Sequence, residues 1–578
     1  MSAVLRPSEA PLPGDLQDEP GDLQDEPWWK AATVYQVYPR SFNDSNGDGI
    51  GDLNGVTEKL DYLQDLGIDV IWLSPHFDSP NADNGYDIRD YRKVMAEFGT
   101  MDDFDRMLAG MQQRGMRLII DLVVNHTSDE HEWFIKSRSS TENPYRDYYI
   151  WRAGSGDGPP NNYPSFFSGS AWELDEQSGQ YYLHYFAVKQ PDLNWENPQV
   201  RDDVFDVMRF WLDKGVSGFR MDVIPFIAKQ PGLPDLDPTQ LAHPEFVYAS
   251  GPRLHEFLRT MNDEVLTGRE AMTVGEAFGV EFDQAPLFTD SRRRELSMIF
   301  HFDIIRIDHD NWRKIGRTLP ALKAMFTTID RSGGEYGWNT SFLCNHDNPR
   351  AVSHFGDDSP RWRVPSAKAL ATLTLTQRAT PFLYQGDELG MTNFPFDSID
   401  QYDDVEVKGL WRTLVETGQV PAEELLANLR HTSRDHARTP MQWTAEPNGG
   451  FSTGRPWLAV NPNFTEINAA AQVDDPDSVF AHHRALIALR KAHPALVHGA
   501  YRDIDPDHEQ IFGYTRTLGG TTLLVIINMG RDPLDFQLPE GLAITATLLS
   551  TRAEHAAGAA AIRLEGWEAG VYDVSGVR

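Results

Sequence analysis

Short apolar runs alternate along most of the chain with stretches whose apolar residues have helical spacing. Residues 33–38 and 70–73 are such runs, and residues 56–66 between them have the spacing of an amphipathic helix. A second helical pattern over about 102–114 leads into the apolar run 117–124. Runs that are apolar at nearly every position are typical of strands buried on both faces, so the alternation predicts a parallel sheet covered by helices.

Four later segments, residues 218–222, 273–276, 341–345 and 381–384, have the same strand character. Together with the earlier runs they favour the closed (β/α)8 TIM barrel, an α/β fold, over an open sheet. Because the active sites of such barrels lie at the carboxyl ends of the strands, the residues that end these segments are the first candidates for chemistry.

Two regions depart from the alternation. Residues 127–193 are dense in Asn, Pro and aromatic side chains, and an insertion of this length is more typical of a functional lobe than of a simple loop. After the helix-like stretch 478–492, two β-rich runs flank Gly519-Gly520, which is a hairpin signal. We therefore predict a barrel of residues 28–126 and 194–496, an inserted domain of residues 127–193 and a small C-terminal antiparallel β domain of residues 497–578.

The N-terminal arm and the composition limit the function classes. Residues 14–20 recur unchanged as residues 21–27, an acidic duplication that predicts a disordered arm over residues 1–27. The chain shows no signal peptide and no apolar run long enough to cross a membrane, so we expect a cytoplasmic protein. The 52 basic and 86 acidic residues give a net charge of −34, which disfavours nucleic acid and membrane surfaces as partners. The single cysteine, Cys344, permits no intrachain disulfide, and we expect it as a small buried side chain.

Three of the strand segments end in or lead to a carboxylate. These carboxylates are Asp222, Glu276 and Asp347, and all three belong at one rim of the predicted barrel. Arg220 stands two residues before Asp222, so its side chain lies on the same face and would keep that carboxylate ionised. Taken singly, each group is more often part of a structural ion pair. The set of three supplies what acid/base and nucleophilic chemistry at a sugar acetal requires.

The order of four motifs along the chain resembles that of the α-amylase superfamily, glycoside hydrolase family 13. The motifs are Val123-Val124-Asn125-His126, residues 218–222, Gly275-Glu276 and Asn345-His346-Asp347. The resemblance implies a TIM barrel with an inserted domain after the third strand and a C-terminal β-sandwich. It also implies roles for the matching residues: Asp222 as nucleophile, Glu276 as general acid/base, Asp347 as the carboxylate that stabilises the transition state, and His126, Arg220 and His346 as contacts of the glucose ring.

Further motifs resemble those of the exo-acting α-glucosidases. The stretch Asp83-Asn84-Gly85-Tyr86-Asp87 is similar to their pocket-closing motif, in which the Asp and the Tyr cap the terminal glucose, although Tyr86 has a simple packing role as its alternative. Arg438 opens a stretch, residues 438–443, that resembles their late Arg motif. A pocket closed by charged groups accepts a terminal glucose rather than the middle of a polymer, so the resemblance implies exo-action.

Residues 44–52 place oxygen side chains at alternate positions, with glycines between them. This arrangement is typical of a calcium loop, with Asp44, Asn46, Asp48, Asp52 and the Ile50 carbonyl as the expected ligands of a structural Ca²⁺. The loop lacks the twelfth-position Glu of an EF-hand but resembles a calcium site of oligo-1,6-glucosidase-like enzymes. An Asx-rich turn without a metal is the alternative. We expect no organic cofactor.

The amino-acid sequence also resembles that of the sucrose isomerases, for example over residues 335–340 and 345–358. By this resemblance Phe278, Phe302 and Arg306 hold the departing fructose, and Phe186 is a further substrate contact. Two departures stand out: the charged loop of the isomerases is altered at residues 306–310, and the predicted nucleophile is followed by Val223, as in α-1,6-acting hydrolases.

The combination predicts a monomeric retaining α-glucosidase that hydrolyses small disaccharides such as isomaltulose, trehalulose and isomaltose, with Val223 shaping the choice of linkage. A sucrose isomerase, which forms isomaltulose or trehalulose, is the alternative, because the two enzymes share the first half-reaction. An inactive sugar-binding relative is disfavoured, because all three carboxylates are in place.

Overall fold

The computed structural model of the protein describes residues 26–552, 555 and 557–575. Most of the predicted acidic arm, residues 1–25, lies outside the described residues. Eight strands form one sheet, in which every recorded pairing is parallel. They are β1 Val34–Val37, β2 Val70–Leu73, β3 Arg117–Val123, β4 Gly218–Asp222, β5 Met272–Glu276, β6 Met298–Phe300, β7 Thr340–Ser341 and β8 Thr380–Tyr384. The strand order is β6-β5-β4-β3-β2-β1-β8-β7, and this arrangement confirms the predicted barrel.

The ends of this order, β6 and β7, meet through a side chain. Thr340 Oγ1 donates to the carbonyl of Ile299 at 3.0 Å, which closes the circle where no strand pairing is recorded. Strand β7 is shorter than the predicted 341–345, since its recorded pairing with β8 covers only Thr340 and Ser341. The chain turns by Asn345, whose Oδ1 accepts the backbone N–H of Asp347 at 2.8 Å. Strand β6 escaped the sequence analysis because it is only three residues long.

Helices separate most of the strands. The predicted helix 56–66 is divided into two short helices, α1 and α2, at Lys59. Helix α3 begins with a capping box, in which Asp103 accepts the backbone N–H of Thr100 at 2.7 Å. The helices are α1 Leu53–Glu58, α2 Leu60–Leu66, α3 Met101–Gln113, α4 Glu132–Ser139, α5 Pro198–Lys214, α6 Pro238–Ala242, α7 Pro244–Tyr248, α8 Leu254–Met261, α9 Ala285–Thr289, α10 Leu319–Ser332, α11 Ala351–Phe355, α12 Arg363–Leu375, α13 Val405–Leu410, α14 Ala422–Thr432, α15 Asp435–Arg438, α16 Ala469–Gln472, α17 Val479–Ala492 and α18 Pro494–His498. None of the described helices combines the length and the hydropathy needed to cross a bilayer.

The segment between β3 and α5 forms a small unit beside the barrel. It contains α4 and a three-stranded antiparallel sheet, in which Gln180–Leu183 lies between Trp151–Arg152 and Trp172–Asp175. A bridge between His126 and Asp192 joins the two ends of the segment. The segment therefore leaves and re-enters the barrel at one place, next to the carboxyl end of β3.

The C-terminal part consists of antiparallel strands. These are β9 Ala500–Ile504, β10 Ile511–Leu518, β11 Thr521–Asn528, β12 Leu534–Gln537, β13 Ala543–Ser550, β14 Ala561–Leu564 and β15 Ala569–Ser575. Five of them form a sheet in the order β9-β10-β11-β15-β13, and β12 pairs with β14. The β10–β11 hairpin turns at Gly519-Gly520, as the sequence predicts.

Two buried arginines connect this part to the barrel. Arg490 Nη1 donates to the carbonyls of Gln377 at 3.0 Å and of Leu496 at 2.9 Å. Arg516 donates to the same Leu496 carbonyl from Nη1 and to Gly499 from Nη2, both at 2.9 Å. Burial lowers the pKa of Arg490 to about 9 and that of Arg516 to about 10. Such buried charges are tolerated because backbone carbonyls surround them.

We expect Arg516→Met to lower the free energy of unfolding by roughly 3 kcal/mol, because several buried carbonyls lose their donor at once. Urea denaturation followed by circular dichroism measures the change. The matched control is Arg531→Met, which removes an Arg whose side chain is 65% exposed and should leave the transition midpoint unchanged. A midpoint for Arg516→Met equal to that of the control would contradict this account of the junction.

Candidate active site

One arginine lies at the centre of the rim formed by the carboxyl ends of β3, β4 and β5. Arg220 on β4 is 2% exposed. Its Nη1 lies 2.6 Å from Asp121 Oδ1 and 2.7 Å from Asp222 Oδ1. Its Nη2 lies 2.6 Å from Glu276 Oε2. A single guanidinium thus holds the predicted nucleophile and the predicted acid/base side by side.

Asp121 is a member of this group that the sequence analysis did not single out. Strand pairing places it directly beside Arg220, and Trp72 Nε1 donates to its second oxygen at 2.9 Å. Its position in the middle of the apolar run 117–124 was the available signal, because a lone carboxylate in a buried strand needs a partner.

Asp222 and Glu276, the two predicted catalytic groups bound to Arg220, have different surroundings. Burial raises the pKa of Asp222, the negative charge of Glu276 raises it further, and Arg220 acts in the opposite direction. Glu276 Oε2 accepts the backbone N–H of Val223 at 2.9 Å. Repulsion between these neighbouring carboxyl groups therefore acts on Asp222 in addition to burial.

Val223 connects the two carboxyl groups through an unusual backbone conformation. Its φ of 32° and ψ of 41° lie in the left-handed region, which β-branched residues rarely adopt. This strained turn directs the Val223 N–H at Glu276 immediately after Asp222. The side chain is 4% exposed, so it packs among neighbouring residues next to the nucleophile.

Asp347, the third predicted carboxylate, lies among cations. Arg438 Nη2 is 2.7 Å and Arg434 Nη1 is 3.2 Å from Asp347 Oδ1, and His346 Nε2 is 3.0 Å from Oδ2. Burial opposes the charge, but these neighbours outweigh it and hold the pKa of Asp347 well below its usual range. Arg434 is itself held by Asp404, at 2.9 Å. Sequence analysis missed Arg434, although its position one helical turn before Arg438 was a signal.

The two predicted pocket-closing residues join the site from separate sides. Tyr86 forms a hydrogen bond from its hydroxyl to His346 Nε2, and the two rings are stacked with centroids 5.3 Å apart. Gln36 Nε2 lies 2.8 Å from the other ring nitrogen of His346. Asp83 Oδ2 accepts from Gln190 Nε2 at 3.1 Å, and burial raises the pKa of Asp83.

His126 completes this side of the pocket. It is 1% exposed, and burial lowers its pKa to about 3, so the imidazole is neutral under ordinary conditions. Its Nε2 lies 3.2 Å from Gln190 Nε2 and 3.2 Å from the carbonyl of Tyr86. Gln190 belongs to the inserted segment, and nothing in the sequence pattern identified it.

The predicted acceptor residues form one aromatic wall. Phe278 lies 5.2 Å from Phe302 between ring centroids, and the guanidinium of Arg306 lies 5.4 Å from the Phe278 ring. Phe186 reaches the same wall through Phe166, which is 5.4 Å from Phe186 and 5.2 Å from Phe278. Phe186 is also 5.2 Å from His126. The structure therefore brings all the predicted sugar contacts to one rim.

The predicted calcium loop, residues 44–52, is held by its own hydrogen bonds. Asp44 Oδ1 accepts from Gly47 N at 2.7 Å, and Asp44 Oδ2 accepts from Gly49 N at 2.8 Å. Asp52 caps helix α1 by accepting from Gly55 N at 2.7 Å. Gly49 has a φ of 95°, and a Cβ there would lie 1.9 Å from the Arg455 carbonyl oxygen, so only glycine fits. These bonds form the Asx turns of the alternative, and the metal stays a prediction.

The side-chain oxygens of Asn46 and Asp48, in the same loop, accept fewer hydrogen bonds than those of Asp44 and Asp52. Asn46 Oδ1 accepts the backbone N–H of Asp48 at 2.9 Å, and Asp48 Oδ1 accepts that of Ile50 at 2.8 Å. Both side chains are exposed. The donor set thus has the oxygen chemistry that Ca²⁺ prefers, while an ion would compete with N–H donors at Asp44 and Asp52.

Comparisons with curated proteins identify relatives over nearly the whole chain. The chain is 52% identical over 556 residues to the oligo-1,6-glucosidase of Parageobacillus thermoglucosidasius, covering 95% of this chain and 99% of that protein. It is 50% identical over 501 residues to an α-glucosidase of Pediococcus pentosaceus, covering 84% of this chain and 89% of that protein.

Solved structures show the same fold. The trehalulose synthase of Pseudomonas mesoacidophila is 57% identical, covers 96% of this chain and 100% of its own, and superimposes with a TM-score of 0.95. A variant of the isomaltulose synthase of Erwinia rhapontici, in complex with its natural substrate sucrose, is 56% identical with a TM-score of 0.94, and covers 95% of this chain and 99% of its own.

A family model described as "Alpha amylase, catalytic domain" matches residues 36–499. This range includes all eight barrel strands except the first two residues of β1, together with Asp222, Glu276 and Asp347. The chain therefore belongs to the α-amylase family of glycoside hydrolases.

Proposed function

We propose that the protein is a retaining, exo-acting α-glucosidase that hydrolyses small α-glucosides. The observation that carries this proposal is the placement of Asp222 and Glu276 on the two terminal nitrogens of Arg220, at 2.7 and 2.6 Å. Two carboxyl groups held on one guanidinium suit a retaining mechanism, in which one attacks the sugar, the other transfers the proton, and the two lie close together.

In this mechanism Asp222 attacks the anomeric carbon while Glu276 protonates the departing glycosidic oxygen. The glycosidic bond breaks, and a covalent glucosyl-enzyme forms. Glu276, now ionised, takes a proton from water, whose oxygen attacks the same carbon and releases both Asp222 and glucose. Asp347 stays charged among Arg438, Arg434 and His346 and stabilises the positive charge of the transition state.

The groups on the proposed glucose side fit a terminal sugar unit. Asp83 accepts from Gln190, Tyr86 is hydrogen-bonded to His346, and Arg438 donates to Asp347. Hydroxyl groups of one glucose match these donors and acceptors. The similarity of residues 83–87 to the pocket-closing motif of the exo-acting α-glucosidases supports the removal of single glucose units.

The acceptor side carries the finer proposal, that the preferred substrates are isomaltulose, trehalulose and isomaltose. Phe278, Phe302 and Arg306 form a wall that contacts a fructosyl or glucosyl leaving group, with Phe186 at its far edge. Val223 beside the nucleophile favours hydrolysis of α-1,6 linkages. The similarity to the trehalulose and isomaltulose synthases keeps sucrose isomerase as the second candidate.

For the rest of the molecule we propose a monomer with a barrel of residues 28–126 and 194–496, an inserted domain of residues 127–193 and a C-terminal domain of residues 497–578. We also propose a structural Ca²⁺ bound by Asp44, Asn46, Asp48, the Ile50 carbonyl and Asp52. Alternating oxygen donors and tight glycines in the loop support the metal. The loop lies away from the carboxylates of the active site in sequence, so we propose that the ion serves stability and not chemistry.

The first prediction concerns the two catalytic groups. Asp222→Asn should reduce kcat by several orders of magnitude, and NMR of the wild-type reaction should show α-glucose as the first product. Glu276→Gln should lose activity on natural disaccharides, whereas azide should partly restore turnover of a substrate with an activated leaving group. Retention of a tenth of wild-type activity by Asp222→Asn, or β-glucose as the first product, would exclude the proposed mechanism.

The second prediction uses Asp121, whose negative charge raises the pKa of Asp222. Asp121→Asn removes that charge with little change in shape, so ionised Asp222 becomes easier to form and the acidic limb of kcat/KM should move to lower pH. The pH dependence of kcat/KM measures the shift. The control is Asp330→Asn, a buried carboxyl beside Arg378 and Arg516 that should leave the profile in place. An acidic limb that does not move, or that moves to higher pH, would contradict the effect of Asp121 on the pKa of Asp222.

The third prediction concerns the metal. If Ca²⁺ binds the native loop only, a chelator should lower the melting temperature, and added Ca²⁺ should restore it. Asp48→Ala should melt at the same temperature with and without chelator. Differential scanning calorimetry at fixed ionic strength measures both. Identical melting of the wild type in both conditions would leave only the Asx-turn interpretation of the loop.

The fourth prediction concerns the linkage. Wild-type enzyme should hydrolyse isomaltulose, trehalulose or isomaltose better than maltose, and Val223→Thr should gain activity on sucrose or maltose by the equivalent of about 1–3 kcal/mol. Chromatography of products from each disaccharide measures this. Conversion of sucrose mainly into isomaltulose or trehalulose, with little free glucose, would replace the hydrolase by the isomerase.

A further inference from the structure

His126 lies between two amide groups. Asn125 Nδ2 is 3.1 Å from His126 Nδ1, and Gln190 Nε2 is 3.2 Å from His126 Nε2. Both amide nitrogens are donors, whereas a neutral imidazole accepts at only one of its nitrogens. The two amides therefore compete to donate a hydrogen bond to His126. The ring nitrogen that accepts such a bond is the one that carries no proton.

A buried lysine fixes the orientation of the first amide. Lys229 Nζ lies 2.7 Å from Asn125 Oδ1, and an ammonium group only donates, so the Asn125 oxygen must face Lys229 and its NH2 must face His126. Lys229 is itself held by Asp192 Oδ2 and by the Phe226 carbonyl, each at 2.6 Å. Its side chain is 9% exposed, so this cation is a fixed part of the site.

The second amide is fixed in a similar way. Gln190 Nε2 donates to Asp83 Oδ2 at 3.1 Å, and Gln190 Oε1 accepts from Ala187 N at 3.0 Å. Neither amide can turn over without losing a bond to a charged group or to the backbone. The choice between the two tautomers of His126 thus depends on its remaining contact.

That contact is the carbonyl of Tyr86, 3.2 Å from His126 Nε2. A carbonyl only accepts, so it requires a proton on Nε2. With the proton on Nε2, His126 accepts from Asn125 and donates to Tyr86, which makes two hydrogen bonds. With the proton on Nδ1, it makes one, from Gln190. The first arrangement is favoured as long as Lys229 holds Asn125 in place.

We infer that Lys229 is a positioning residue that acts through Asn125 to keep the proton of His126 on Nε2, so that the imidazole presents an N–H donor to the glucose pocket. The inference rests on the proposed role of His126 as a contact of the glucose ring. A sugar hydroxyl at this position shares the His126 N–H with the Tyr86 carbonyl or takes it over, and its own proton is left for an acceptor such as Asp83. Lys229 thereby determines the direction of hydrogen bonding at a site that it does not touch.

The test removes the lysine together with its ion-pair partner, because an unpaired buried Asp192 would destabilise the fold. In Lys229→Met/Asp192→Asn, Asn125 is free to turn and Gln190 becomes the dominant donor. Nitrogen-15 spectra of protein labelled at histidine, with the His126 signals identified by their loss in His126→Gln, report the tautomer directly. We expect the Nε2–H form in the wild type and the Nδ1–H form, or a mixture, in the double variant.

The matched control is Lys323→Met. Lys323 is another buried lysine bound to backbone carbonyls, with its Nζ 3.1 Å from that of Ile511, but it lies under the C-terminal strands. This variant should leave the His126 tautomer unchanged. An unchanged tautomer in the Lys229 double variant, or Nδ1–H already in the wild type, would overturn the inference.

A kinetic readout separates positioning from general damage. On p-nitrophenyl α-glucoside, kcat/KM of the double variant should fall roughly tenfold, the equivalent of one hydrogen bond. The monodeoxy analogue that lacks the hydroxyl bound by His126 is the one whose cleavage His126→Gln does not change. On this analogue, kcat/KM of the double variant should equal that of the wild type. An equal loss on every analogue would show that Lys229 acts only on the fold. A wild type that cleaves no α-glucoside would refute the proposed function, while the nitrogen-15 spectra would still decide the tautomer.

Discussion

The active site depends on one buried cation with too many anions around it. Arg220 is bound to Asp121, Asp222 and Glu276, so three carboxyl groups share one guanidinium at a place that water hardly reaches. Burying an ion pair seldom adds stability, because the desolvation of the charges offsets their attraction. The arrangement is therefore understood through chemistry: the surplus of negative charge raises the pKa of Asp222, and Arg220 holds Asp222 and Glu276 as close together as the proposed reaction requires.

The strand register creates this arrangement. Asp121 pairs across the ladder with Arg220, and Val274, two residues before Glu276, pairs with Arg220 from the other side. Alternate residues of a strand lie on one face, so the three carboxylates converge without any special loop. A shift of one residue in either ladder would turn a carboxylate into the helical layer. The apolar core of the barrel thus fixes the distances on which the chemistry depends.

The far side of the pocket has the opposite charge balance. Asp347 lies between Arg438 and Arg434, and Arg434 is anchored by Asp404. Two cations keep the pKa of Asp347 low, whereas burial and the negative charge of Glu276 raise the pKa of Asp222. One rim therefore contains two carboxyl groups, Asp222 and Asp347, whose pKa values are moved in opposite directions by their surroundings.

The sequence predicted the parts of the site that local pattern controls. Asp222 and Glu276 end regular strands, so their meeting at one rim followed from the barrel. Gln190 and Arg434 come from irregular segments, and their positions depend on contacts between distant parts of the chain. Asp121 was hidden inside an apolar run. The same limit applies to the fold, because strand β6 is too short to show periodicity.

The step that separates hydrolysis from isomerisation lies after the shared glucosyl-enzyme. An isomerase must retain the fructose long enough to reorient, whereas a hydrolase releases it before water attacks, and each tenfold change in this partition corresponds to only about 1.4 kcal/mol. High identity to both groups of enzymes is therefore expected. The acceptor wall here has a loose element: Arg306 is 37% exposed, and its ion pair with Glu245 is 3.5 Å long. An ion pair of this length with a partly exposed arginine holds the guanidinium weakly. In the proposed acceptor site, a weakly held Arg306 would let the leaving sugar depart, which favours hydrolysis over retention.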